Sequence, residues 1–135
     1  MMFLISIPNF HMIDAMTPQA QIEYLATKVM GWQIPKHGHG FDDLPPMVED
    51  DTGYVHTSWN PLTDWNHTMQ VWYQLVEMKL QMGIDQTEDH ATVVIGRFDS
   101  LGCMEIFVHV EDADAKIAIC LAAIQAHKEL SLSKI

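Results

Sequence analysis

Arginine is nearly missing from this chain. Arg97 is the sole one, and the basic side chains number 7 against 18 acidic ones, a formal net charge of −11. A grip on a nucleic-acid backbone needs clusters of Lys and Arg, so that partner class is excluded, and anionic membrane surfaces are disfavoured for the same reason. A small anionic ligand stays open, because backbone amides and one local cation can hold it. Cysteine is scarce too: Cys103 and Cys120 make no disulfide framework, and a reducing cytoplasm fits. Cys120 lies in an apolar helical block and reads as a small buried hydrophobe. There is no G-x-S-x-G, P-loop, G-x-G-x-x-G or H-E-x-x-H, which removes the most direct enzyme assignments. The apolar stretch Met1 to Ile7 lacks a basic flank, is followed by Pro8 and is far too short to span a bilayer.

What is present is a globular composition. Hydrophobic residues make up 48% and charged residues 19% of 135 positions, which fits one domain with its own core. We expect a single domain over 1–135, with an apolar N-terminal arm at 1–15 and a long loop at 36–53. Thr17-Pro18 is a helix start, with Thr as N-cap and Pro in the first turn. Ile22, Leu25, Ala26 and Val29 follow at helical spacing, and Gly31 suits the C-cap. Trp32-Gln33-Ile34 and Tyr54 to Trp59 read as short strands. A second helix starts at Asn60-Pro61 or Thr63-Asp64. Trp65, Met69, Trp72, Val76 and Leu80 form its expected core stripe, Val71, Leu75, Met78 and Met82 widen it, and Gly83 is its expected end. Thr92–Ile95 and Glu105–Val110 are the best strands, joined by a turn at Asp99–Gly102. Asp112 or Asp114 caps a last helix whose core stripe is Ile117, Leu121 and Ile124. Neighbouring strands with short connections favour an antiparallel sheet covered by helices, an α+β fold.

Several residues carry possible chemistry. Eight histidines are unusual for this length. His37, His39, Asp42 and Asp43 resemble the start of a metallohydrolase ligand run, and imidazole with carboxylate suits Zn or Mn. The spacing departs from the familiar H-x-H-x-D-H form. Asp64 and His67 fall one helical turn apart. His109, in a strand, reads as a buried and satisfied histidine. Trp65 and Trp72 belong to the core stripe, whereas Trp32, Tyr54, Trp59 and Tyr73 are free to stack on a planar ligand. Arg97 is the natural candidate for a phosphate or carboxylate. The acidic residues form short runs, such as Glu49-Asp50-Asp51, and read as a solvated surface rather than a regular charge array.

Three blocks also resemble a known family. Thr27 to Trp32 resembles an "EKVMGW" segment. Pro61, Thr63, Asp64, Trp72, Val76, Glu77 and Leu80 resemble a "P-S-T-D" helix start followed by Trp and "VVEKL". Ala118 to Ile124 resembles "AICLAALKA". These segments are similar to those of phage ABA-sandwich domains, small bacteriophage and prophage proteins. Leu62, the apolar extension and the His-rich loop depart from the pattern. The resemblance implies an α/β/α sandwich and a phage origin, and brings no catalytic residues with it.

The expectation is therefore a cytoplasmic, homo-oligomeric phage protein, oligomeric through its apolar arm. It would be a non-enzymatic binder that sequesters a nucleotide-derived host immune signal, with no cofactor. Arg97, Trp32, Tyr54, Trp59 and Tyr73 are its candidate ligand-binding residues. The alternatives are a metal-dependent hydrolase of phosphodiesterase type, taking a divalent metal at His37, His39, Asp42 and Asp43, or an inhibitor that binds a protein partner or mimics DNA through its acidic face.

Overall fold

The computed structural model describes residues 16–35 and 46–133. The apolar arm, and the His-rich part of the long loop with its four candidate metal ligands, lie outside these residues.

Helix α1 (Pro18–Tyr24) begins as its sequence dictates: the Thr17 hydroxyl accepts the Ala20 N–H at 3.1 Å. It then widens into a π-helical segment, Leu25–Val29, closed by Met30 N–H donating to the Leu25 carbonyl at 2.8 Å. Gly31, at φ +76°, reverses the chain, and Trp32 N–H returns to the Ala26 carbonyl at 2.8 Å. This is a glycine-dependent helix stop. It buries Ile22, Leu25, Ala26 and Val29 and delivers Trp32 at a defined place.

Strands β1 (Val48–Glu49) and β2 (Val55–His56) form a small antiparallel hairpin, and Gln33 bridges to Glu49 on its other side. The second half of the expected loop is thus a strand and a tight turn. Helix α2 (Trp65–Glu77) is capped by Asp64, whose carboxylate accepts the Asn66 N–H. Strands β3 (Gln81–Gln86), β4 (Ala91–Phe98) and β5 (Met104–Asp112) make a three-stranded antiparallel sheet in the order β3-β4-β5. Helix α3 (Ala115–Ser133) follows, its first turn capped by the Asp114 carboxylate.

The core lies between the sheet and the helices. Ala91, Val93 and Ile95 of β4 and Val108 and Val110 of β5 point inward at period two. Helix α3 lies over them and also meets α1, the π segment and α2. It is buried on most of its surface, and Ala118, Ala122, Ala123 and Ala126 allow the close approach. Cys120 is fully buried, as expected of a small hydrophobe, and burial pushes its thiol pKa up. Gly96 sits at a bulge where β4 meets β5. A Cβ there would lie 2.6 Å from the Glu105 carbonyl oxygen, so no larger residue fits without backbone movement. The architecture is mixed α+β and sandwich-like, as the element order implied.

Three expectations need correction. Helix α2 does not run to Gly83. It stops at Glu77, Lys79 takes a left-handed conformation (φ 67°), and Gly83 lies within β3, paired with Val94. The helix buries Thr68, Val71 and Leu75, so the widening half of the expected stripe faces the core rather than its expected centre. Trp65 and Val76 are half exposed, and Lys116 Nζ lies 5.1 Å over the Trp65 ring instead. His109 is on the outer face of the sheet and exposed, because β5 places it out of phase with buried Val108 and Val110.

Candidate ligand-binding site

The β1–β2 hairpin is organised by one carboxylate. Asp50 Oδ1 accepts from Thr52 N–H (2.9 Å), the Thr52 hydroxyl (2.6 Å) and Tyr54 N–H (3.0 Å). Its other oxygen, Oδ2, lies 2.9 Å from His56 Nε2. The Thr52 hydroxyl first, and the His56 ring second, hold the Asp50 carboxyl well below the usual carboxylate range. Asp50 is therefore an ionised acceptor at neutral pH, and the turn it closes fixes both Tyr54 and His56.

Around His56 the aromatic side chains converge. The Trp32 ring stacks on the imidazole, with centroids 5.3 Å apart and planes 2° from parallel. Tyr54 meets the same imidazole edge-on at 4.8 Å. Trp59 packs edge-on against Trp32 at 5.0 Å and stands 6.2 Å from the His67 ring. Trp59 is only 1% exposed, and its indole N–H donates to Gln70 Oε1 at 2.6 Å. It is a floor rather than the free stacking surface expected of it. Tyr54, 64% exposed, supplies the open ring.

The floor is tied to the core one residue pair further on. The Pro61 carbonyl lies 2.6 Å from the Thr68 hydroxyl and accepts from the Cys120 thiol at 3.3 Å. The Asn60 side chain caps its own turn by accepting Leu62 N–H, while Asn60 N–H donates to His67 Nδ1 at 2.9 Å. Asp64 and His67, expected to act together, have separate tasks: one caps the helix, the other receives a backbone amide.

The result is a pocket of about 140 Å³ lined by Tyr54, His56, Thr57, Ser58, Trp59 and His67, with Trp32 behind His56. Three of the candidate residues, Trp32, Tyr54 and Trp59, are brought together here. Arg97 and Tyr73 are not among the lining residues. The Arg97 guanidinium lies 5.7 Å over the Phe107 ring, in the register pair with Glu105, and Tyr73 stands on the exposed side of α2. His56 is not among the candidates, and His67 is singled out only beside Asp64, not as part of a ligand pocket. The alternation Tyr54-x-His56-x-Ser58 was the available signal, since a strand puts these on one face. Among the described residues no group of three or more His, Cys, Asp or Glu is placed to hold a metal ion. A larger open groove, about 590 Å³, runs between the end of α2 and the sheet, lined by Trp72, Val76, Leu80, Met82 and Phe98 with Lys79 and Gln81.

Helices laid on a small antiparallel sheet define the class, a sandwich-type α+β domain. The phage ABA sandwich domain family matches residues 23–124, from within α1 to within α3, and the chain belongs to that family. No curated protein matches the chain. Among the described residues no helix is long and apolar enough to cross a membrane.

Proposed function

We propose that this phage sandwich domain is a small binding protein that holds a nucleotide-derived host signal and sequesters it unchanged. The observation that carries this reading is the convergence of Trp32, Tyr54, His56, Trp59 and His67 around one open pocket. Tyr54 offers an exposed ring for stacking, and Ser58, Thr57 and the imidazoles offer polar contacts at its side. A volume of about 140 Å³ suits a single base rather than a whole nucleotide, so sugar and phosphate would extend into solvent. A binder needs complementarity and no positioned nucleophile. Homo-oligomer formation through the apolar arm, in the cytoplasm of the infected cell, belongs to the same proposal.

The test is chromatography of a nucleotide panel after incubation with the protein and denaturation, with and without chelator. Sequestration predicts that the bound nucleotide is recovered unchanged and that chelator has no effect. Tyr54→Ala should weaken binding by about 1–3 kcal/mol, the scale of one stacked base. Metal-dependent product formation, lost in His37→Ala, would replace this reading with the hydrolase. Weakening by Lys79→Ala but not by Tyr54→Ala would move the site to the larger groove. No binding and no turnover would leave a protein partner as the target.

A further inference from the structure

When neutral, the two imidazoles of the pocket are held in defined tautomers by partners of fixed character. An ionised carboxylate can only accept, so the His56 nitrogen facing Asp50, Nε2, carries a hydrogen. A neutral His56 then has its lone pair on Nδ1. A backbone N–H can only donate, so His67 Nδ1, facing Asn60 N–H, carries the lone pair, and the hydrogen of His67 is on Nε2. Neither His56 Nδ1 nor His67 Nε2 has a hydrogen-bond partner among the described residues. Both rings line the same pocket. The two ring nitrogens left without a protein partner are thus one acceptor and one donor N–H, on residues that line the pocket with Thr57 and Ser58.

We propose that this pocket recognises the edge of a nitrogen heterocycle that carries a hydrogen-bond donor next to an acceptor, the amidine edge of an adenine-type base, and not the phosphate. The proposal rests on the nucleotide-binding reading and specifies which end of the ligand enters. A carboxylate or an ionised phosphate ester presents acceptors where a neutral His56 also presents a lone pair, and inorganic phosphate, which keeps a P–OH at neutral pH, has no ring to stack on Tyr54. No lysine or arginine lines the pocket to offset that mismatch. A base edge satisfies both imidazoles at once while its ring stacks on Tyr54. Ligand entry takes both nitrogens out of water, so an analogue that lacks the matching group leaves one of them unpaired and binds more weakly.

Calorimetric titration of the full chain at neutral pH tests this with five probes: adenosine, adenosine 5′-monophosphate, purine riboside, ribose 5-phosphate and inorganic phosphate. Adenosine and its monophosphate should bind within about threefold of each other. Purine riboside, which lacks the exocyclic amino donor, should bind at least about tenfold more weakly. Ribose 5-phosphate and inorganic phosphate should not bind. Equal binding of purine riboside and adenosine overturns the proposal while leaving the chain a nucleotide binder. Binding of ribose 5-phosphate or inorganic phosphate overturns it in favour of a phosphate site. Failure of all five overturns the nucleotide-binding reading together with it.

Discussion

Asp50 is the residue on which the pocket depends most. It is polar, lies outside the core, and yet sets the conformation of Thr52, Tyr54 and His56 through four contacts. Its carboxyl pKa is depressed in the fold, so its contribution is present above the ordinary carboxylate pKa and lost as pH falls through the lowered value. Ligand binding should therefore hold, as far as Asp50 is concerned, from neutral pH down past the ordinary carboxylate pKa, and fail only as pH falls through the lowered value. Asp50→Asn should weaken binding at neutral pH and flatten that acid limb, which titration across pH would read. Thr68 is the second such residue. Its hydroxyl is fully buried, and Thr68→Val leaves the Pro61 carbonyl with only the weak Cys120 thiol donor. The expected loss is about 1–3 kcal/mol by chemical denaturation, the cost of an under-satisfied buried group. None of this was legible in the sequence. Asp50 reads there as one charge in an acidic run, and its role appears only when the turn brings it opposite His56.

At the scale of elements, most features set by near neighbours are legible in the sequence, although the expected strand at 32–34 is only a bridge at Gln33 and the expected strand at 54–59 shortens to Val55–His56. Thr17-Pro18, Gly31, Asp64 and the Asp99–Gly102 turn all act through bonds to near neighbours. So do the alternating strands β4 and β5. Strand β3 was missed because Gln81-Met82-Gly83-Ile84-Asp85-Gln86 has neither strong β propensity nor clean alternation; its conformation comes from pairing with β4, residue by residue. The end of α2 was missed for a related reason. Lys79 adopts a left-handed conformation that lysine does not favour, and nothing in its side chain announces it. Lys79→Gly should raise stability by about 0.5–1 kcal/mol in thermal or urea unfolding by relieving that cost. Helix α3 is the central element. Leu121→Ala should destabilise by about 2–5 kcal/mol, and a loss below about 0.5 kcal/mol would contradict its place in the core.

The whole molecule combines an acidic exterior with a pocket that has no cation on its wall. Charge therefore works against any anionic group settling inside, and on the proposed reading recognition would fall to stacking and hydrogen bonding at the ring. The proposed self-association would run through the apolar arm Met1 to Ile7. Light scattering on the full chain and on a form starting at Met16 should give an oligomer and a monomer respectively; two monomers would contradict self-association. The central claim is that ligand is held by the aromatic and imidazole rings at the β1–β2 hairpin. Two-dimensional NMR of the labelled protein tests it most directly, by following signals as adenosine 5′-monophosphate is added. The account predicts that the Trp59 and Trp32 indole N–H signals and the amides of residues 54–59 shift, while those of Arg97 and Lys79 stay in place. Shifts confined to Lys79, Gln81 and Phe98, or to Arg97 and its neighbours on β5, would contradict it.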